Sequence, residues 1–255
     1  MQPLTEILAR FLVSTNYDDL PTKAVEDAKM LILDLLGTTL AGSESIEGRM
    51  ALSLVRDLGG TPESSIISYG DKTSCTNAAF VNSIMGHAWE LDDTHRQSIM
   101  HVGACVIPPA LAVAERQDAT GREFITSVVL GYECASRVAL GVQPSHGRRG
   151  FHTMGSCGVF GAATAAAKIL ELNEGQMMGA LGLAGAQAGG VGGWLRFNCG
   201  FASRSGIVAA LMAQNDLSQS VVPGVFDVGR SSIIEGRRGF CDAYSDEYQL
   251  ESLLS

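Results

Sequence analysis

Apolar residues recur along this chain at spacings of three and four, and the pattern predicts one helix after another. LTEILARFLVS places Leu4, Ile7, Leu8, Phe11 and Leu12 on one face. Pro21 opens a second helix at a first-turn position, and PTKAVEDAKMLILDLLGTTLAG runs from it to a glycine stop at Gly42. EGRMALSLVRDLGG reads as a third helix that ends at Gly59 and Gly60. SSIISYGD is the one convincing strand-like stretch, and it is short. CTNAAFVNSIMGHAWEL is expected to be helical to about Asp92. In GACVIPPALAVAERQ, Pro108 and Pro109 either kink a helix or set its start. GREFITSVVLGYECASRVALGV is long, amphipathic and bounded by glycines. MGSCGVFGAATAAAKILEL, EGQMMGALGLAGAQAGG and SRSGIVAALMAQNDL follow, with small residues every three or four positions. No linker or internal repeat interrupts them. The expected fold is all-α, a single multi-helix domain over residues 1–255 built from closely packed Ala- and Gly-rich helices.

Composition agrees and narrows the partners. Apolar residues make up 46% of the 255 positions and charged residues only 18%, enough for a sizeable core. The formal net charge of −9 argues against nucleic acid and anionic membrane as partners. It leaves room for a small anionic substrate, because a pocket needs only local positive charge. The six cysteines form no C-x-x-C pair and lie mostly in apolar runs, as reduced core residues of a cytosolic-type protein do. Glu6 sits inside an amphipathic N-terminal stretch unlike a secretion signal, and no uninterrupted apolar run is long enough to span a bilayer. The expected location is the cytoplasm, with the mitochondrial matrix left open.

Charge is sparse, which makes HAWELDDTHRQSIMH conspicuous: three of the five histidines and three carboxylates fall between His87 and His101. On a helix, His87, Glu90 and Thr94 would share a face. Asp92, Asp93 and Thr94 read equally well as ordinary turn or cap residues. His101 precedes Gly103, where a helix starts, and a carboxylate would be favoured at such a terminus. His87, Glu90, Asp93, His95 and His101 are all possible metal ligands, yet their spacing fits no compact zinc or calcium pattern, and no metal is expected. A second cluster, SHGRRGFHTMGSCG, holds His146, Arg148, Arg149 and His152 in a glycine-rich loop before a helix. It reads as a polycarboxylate clamp or as a solvated basic loop, with His152 the member best suited to a buried role. The glycines of GALGLAGAQAGGVGGW follow no strand and fit no phosphate-loop pattern, so tight helix packing explains them better.

Taken together, HAWELDDTH, HVGACVIPPALAVAE, GYECASRV and GFHTMGSCGVFGAATAAAKILELNEGQMMGALGLAGAQAGG resemble the MmgE/PrpD family. The resemblance runs from PTKAVEDAKMLILDLLGTTLAG to GRRGFCDAYS. It implies an all-α first domain beneath a smaller α/β lid, a homodimer, and acid–base chemistry on small carboxylates without a metal or organic cofactor. Such chemistry covers 2-methylcitrate dehydration, cis-aconitate decarboxylation and iminodisuccinate epimerisation. The family's D-x-D-D-T motif falls on Glu90, Asp92, Asp93 and Thr94, its histidine before a Gly-Ala pair on His101, and its G-F-H histidine on His152.

Three departures stand out. Glu90 replaces the usual aspartate. The family's K-x-L-H-x-G becomes LRFNCG, with Leu195 at the lysine place, Asn198 at the histidine place and Arg196 as the nearest cation. The lid pattern, with its further histidine, is not represented before Ser255. The expectation is a lyase acting on a di- or tricarboxylate, with isomerase chemistry as a variant. His101 and His152 would be base and acid or carboxylate binders, in either order, and Asp93 and Glu90 would orient them or set their pKa values. Thr94, Arg196, Asp92 and His95 would contact substrate. The rival expectation is a helical dimerisation module or pseudoenzyme, or one half of a split enzyme whose lid is a separate chain.

Overall fold

The computed structural model describes residues 3–215, 224–226 and 239–246. Asp216 and Leu217 of the last predicted helix, and Arg237 and Arg238 of GRRGFCDAYS, lie outside the described residues. The first three helices are α1 (Leu4–Ser14), α2 (Thr22–Gly42) and α3 (Ile46–Leu58). A minimal antiparallel hairpin, β1 (Ser64–Ser65) with β2 (Lys72–Thr73), pairs Ser64 with Thr73 and Ser65 with Lys72. Then come α4 (Cys75–His87), α5 (Gly103–Gln117), α6 (Gly121–Val142), and two single turns, α7 (Ser145–Arg148) and α8 (Thr153–Ser156). The chain continues through α9 (Gly158–Ile169), α10 (Glu174–Gln187), α11 (Leu195–Ala213) and the short α12 (Phe240–Tyr244). Among the described residues that hairpin is the only sheet, and the all-α expectation holds.

Helix α9 is the hub, packed on α5, α6, α10 and α11. Every residue of GVFGAATAAAKI except Lys168 is buried. Small side chains make this possible. A Cβ on Gly161 would meet Ala135 of α6 at 2.8 Å, and one on Gly206 of α11 would meet Ala162 at 2.4 Å. Both distances are below contact, so these glycines set how closely α6 and α11 approach the hub. Helix α6 starts with a Thr120–Glu123 capping box. It is the one described helix long and apolar enough to cross a bilayer, and 61% of that stretch is buried inside the bundle.

Several expectations shift. Helix α1 buries Thr5, Leu8, Ala9 and Leu12, while Phe11 stays 40% exposed beneath the Arg137 guanidinium. The strand-like SSIISYGD contributes only Ser64 and Ser65 to pairing, because Ile66 already turns back to bond Asp71. Pro108 and Pro109 do not set the start of α5, which begins at Gly103. Pro109 has no N–H for the Cys105 carbonyl, and the Ser203 hydroxyl of α11 donates to that oxygen instead at 3.3 Å. Helix α4 ends at His87, well before Asp92. Glu90 adopts φ +53°, so His87, Glu90 and Thr94 do not share a helix face.

Candidate active site

The end of α4 delivers His87 to the centre of the molecule, where it is buried. The chain then leaves the helix. Trp89 Nε1 donates to the Ala41 carbonyl at 3.1 Å and anchors the exit. Residues 95–100 close a turn on themselves: His95 N–H donates to Met100 O at 2.9 Å, and the His95 ring contacts Ser98 Oγ at 2.8 Å. His101 follows, and α5 starts at Gly103. The Asp93 carboxylate accepts from Gly103 N–H at 3.0 Å and from Tyr132 Oη at 3.1 Å, and so satisfies a free amide of that helix start. Gly103 has no room for a side chain, since a Cβ would lie 2.3 Å from Asp93 Oδ1.

Asp92 joins two imidazoles. Its buried carboxylate lies 3.0 Å from His87 Nδ1 and 3.3 Å from His101 Nδ1. Burial alone would raise its pKa, but hydrogen bonds from His101 and His87 hold it below the usual carboxylate value. The same hydrogen bond raises His101 above the ordinary imidazole value, against a smaller opposing effect of burial. Asp93 makes no hydrogen bond to an imidazole. Burial pushes its pKa up to about 6, with the Tyr132 hydrogen bond working the other way and the Asp92 charge adding to the rise. Asp92 is therefore the standing anion of the pair, and Asp93 takes up a proton near pH 6.

The ligand atoms of His87, Asp92 and His101 lie within 4.8 Å of one another, a spacing that could also hold a metal ion. Hydrogen bonding already accounts for the cluster. Asp92 accepts from both rings, and none of the three residues appears among the buried polar atoms without a partner.

His152 stands at the start of α8 with its Nδ1 3.1 Å from the Asn198 amide nitrogen of α11. An amide N–H donates there, so the ring carries its own proton on Nε2. Burial brings its pKa down to about 4, helped by the neighbouring His87 and His101. His101 and His152 line one cleft of about 540 Å³, together with Glu90, Thr94, Arg96 and Leu195. A second cavity of about 500 Å³, beside Tyr17 and Lys168, holds no histidine, and its Arg122 is paired with Asp18. The cleft with the histidines is the better candidate on chemistry.

The sequence-derived residues sort into three groups. His101, His152, Glu90 and Thr94 line the cleft. Asp92 and Asp93 stand behind it and act through the rings and backbone they touch. His95 and Arg196 do not reach it: His95 ties its own turn, and Arg196 borders a neighbouring cavity of about 280 Å³, bonded to Glu47 at 2.8 Å and near Glu90 at 3.7 Å. The basic loop does not form a clamp either. His146 turns inward, is fully buried and bonds Ser156 Oγ at 2.7 Å, while Arg149 pairs with Asp246. His146 thus takes the deepest place in that segment, where His152 was expected. Sequence reasoning gave no role to Arg96 or Tyr132 and left His87 and Asn198 without one in the site.

Comparison with known proteins settles the ancestry. A model of the MmgE/PrpD N-terminal domain matches residues 6–253. The chain belongs to the MmgE/PrpD family. Among curated MmgE/PrpD relatives, a cis-aconitate decarboxylase-like protein of Aspergillus oryzae is 29% identical over 83% of this chain and 47% of its own length. The cis-aconitate decarboxylase of Aspergillus terreus is 30% identical over 77% of this chain and 42% of its own. The human cis-aconitate decarboxylase is 25% identical over 74% of this chain and 40% of its own. The chain therefore spans less than half the length of these relatives. Their named activity is that of a lyase, and it places this MmgE/PrpD chain in a lyase-type family.

Proposed function

We propose that this chain carries the acid–base centre of a cofactor-independent lyase for a small polycarboxylate. The observation that supports it best is the opposite preparation of two histidines on one cleft. His101 gives its Nδ1–H to Asp92, which leaves Nε2 as a basic lone pair. His152 receives Asn198 on Nδ1, which leaves Nε2–H as a donor. In dehydration, His101 Nε2 takes a proton from the carbon beside a carboxylate, the C–H electrons form the double bond, and the hydroxyl leaves as water with a proton from the site. In decarboxylation, the same imidazole in its protonated form gives its proton to carbon while the C–CO₂ bond breaks. The raised pKa of His101 lets both ring states serve near neutrality. His152, neutral across that range, donates to the substrate carboxylate. Thr94, 3.4 Å from His101 Nδ1, steadies the base.

The test is proton NMR in D₂O with 2-methylcitrate, citrate, cis-aconitate and an imino- or amino-dicarboxylate. Deuterium incorporation, water loss or CO₂ loss is expected with at least one of them, and is expected to vanish in His101→Gln. Silence across the panel from a folded sample would overturn the reading.

A second observation supports a homodimer. Helix α2 leaves Met30, Leu33 and Leu40 exposed, and α3 leaves Ile46, Met50, Leu54 and Leu58 exposed. Apolar stripes of this kind mark association surfaces, here for a second copy of the chain. Sedimentation should show a dimer that Leu33→Glu with Met50→Glu converts to monomer; a native monomer would end that proposal.

A further inference from the structure

We infer that Arg96 is the carboxylate anchor of the cleft, and that the cleft selects dicarboxylates with an aliphatic arm over tricarboxylates. The inference rests on the acid–base reading of the same site and adds its substrate class.

The distribution of cations carries it. Among the described arginines only Arg96, Arg148 and Arg204 lack an ion pair, and the others are held by carboxylates. Of those three, Arg96 lines the cleft that holds His101 and His152. Arg196, the cation nearest in sequence to the α11 wall, is committed to Glu47 and Glu90. Arg96 is also held at a defined place. It sits in the turn closed by the His95–Met100 backbone pair, and its own carbonyl accepts from Ile99 N–H at 3.3 Å. A guanidinium presents a planar fork of donors that matches a carboxylate with two parallel hydrogen bonds.

The remaining walls set the rest of the substrate. Ile99, Met100, Phe151 and Leu195 border the same cleft and present hydrocarbon. Glu90 adds negative charge at the edge shared with Arg196. One free guanidinium and neutral His152 can accommodate two carboxylates. A third would find no further free guanidinium in the lining, only neutral polar groups such as Gln143 and Thr153, hydrocarbon, and the repelling like charge of Glu90. An aliphatic arm would instead cover Leu195 and Ile99.

Calorimetric titration of the whole chain with methylsuccinate and with tricarballylate tests both halves. Methylsuccinate is expected to bind about tenfold tighter or better, and Arg96→Gln to weaken it by about tenfold or more, as loss of a charge-assisted hydrogen-bonded pair does. Arg96→Lys, which keeps the charge but not the fork, should fall between. Equal binding by wild type and Arg96→Gln, preference for tricarballylate, or no binding of either probe at millimolar concentration would overturn the inference. Deuterium exchange on the same samples separates the two readings. Binding that depends on Arg96 without any exchange would sink the acid–base reading and spare this one. Exchange with an unchanged KM in Arg96→Gln would do the reverse.

Discussion

Two histidines face one cleft, and their surroundings push them apart. His101 is half-buried and bonded to an ionised carboxylate, so it holds its proton above the ordinary imidazole value. His152 is comparably enclosed but bonded to an amide, so burial has its way and the pKa falls to about 4. Burial lowers both. The partner on Nδ1 decides the net sign, because a carboxylate stabilises the imidazolium and an amide N–H requires a lone pair. The same lesson runs through Asp92 and Asp93, adjacent in sequence. Asp92 sits between two imidazoles and stays ionised, while Asp93, bonded to a phenol and a backbone amide, is raised to about 6. A base, a donor, a standing anion and a carboxylate that titrates near 6 follow from which neighbour each group touches.

The sharpest way to break this comparison is to remove its active half. His101→Gln should abolish proton exchange, a loss of about 10²–10⁴-fold for a positioned base. His152→Gln keeps an N–H donor and should lose less, with most of the effect in KM. Equal losses would show that the two rings are not specialised. Asp92→Asn should come next. It removes the negative charge shared by His87 and His101, so the His101 pKa should fall. Catalysis by the free base appears as pH rises through that pKa, so the acid limb of the rate profile should move to lower pH while the plateau drops. An acid limb that stays in place would show that Asp92 does not set the base.

Converting one half into the other is gentler. Asn198→Asp would give His152 the kind of partner His101 has, and its pKa should rise by about one pH unit or more. Imidazole NMR titration would read the change directly. A His152 pKa that stays near 4 would mean that burial, not the partner, controls this ring.

What the sequence disclosed follows the range of the forces involved. Helices α3 and α6 were legible because their apolar positions keep one face and their ends carry glycines or caps. Helix α4 was misread at its end because it is buried nearly all round, which erases the periodic signal. The turn at Glu90 relies on a positive φ that glutamate does not announce. The aspartates and His101 were visible as a cluster, and the family motif gave them places. The partners that set their chemistry were not visible, since they come from far along the chain: Asn198 lies 46 residues from His152, and Tyr132 lies 39 from Asp93. Arg196 looked available because its partner, Glu47, is 149 residues away. His87, five residues before Asp92, and His101, nine after it, were within reach, and the assumed helix hid the first contact.

The smallest effect concerns stability and tests the quieter half of the aspartate pair. Asp93 has a folded pKa of about 6 against an ordinary carboxylate value of 3.8. The folded protein therefore binds a proton more tightly than the unfolded chain. The stabilising contribution of Asp93 is fully present below 3.8 and is lost as pH rises through about 6. At neutral pH the ionised, buried group costs at most about 3 kcal/mol relative to its protonated form, from about 1.4 kcal/mol per pH unit. Asp93→Asn keeps an oxygen to accept from Tyr132 and from Gly103 N–H, and it removes the charge. Thermal melts across pH 4–7 should show the mutant losing less stability with rising pH than wild type, with the difference growing towards neutrality. Parallel curves would mean that Asp93 is ionised at little cost. Asp92 and Asp93 would then titrate alike, and the contrast between the two carboxylates would collapse, leaving the contrast between the two histidines to stand alone.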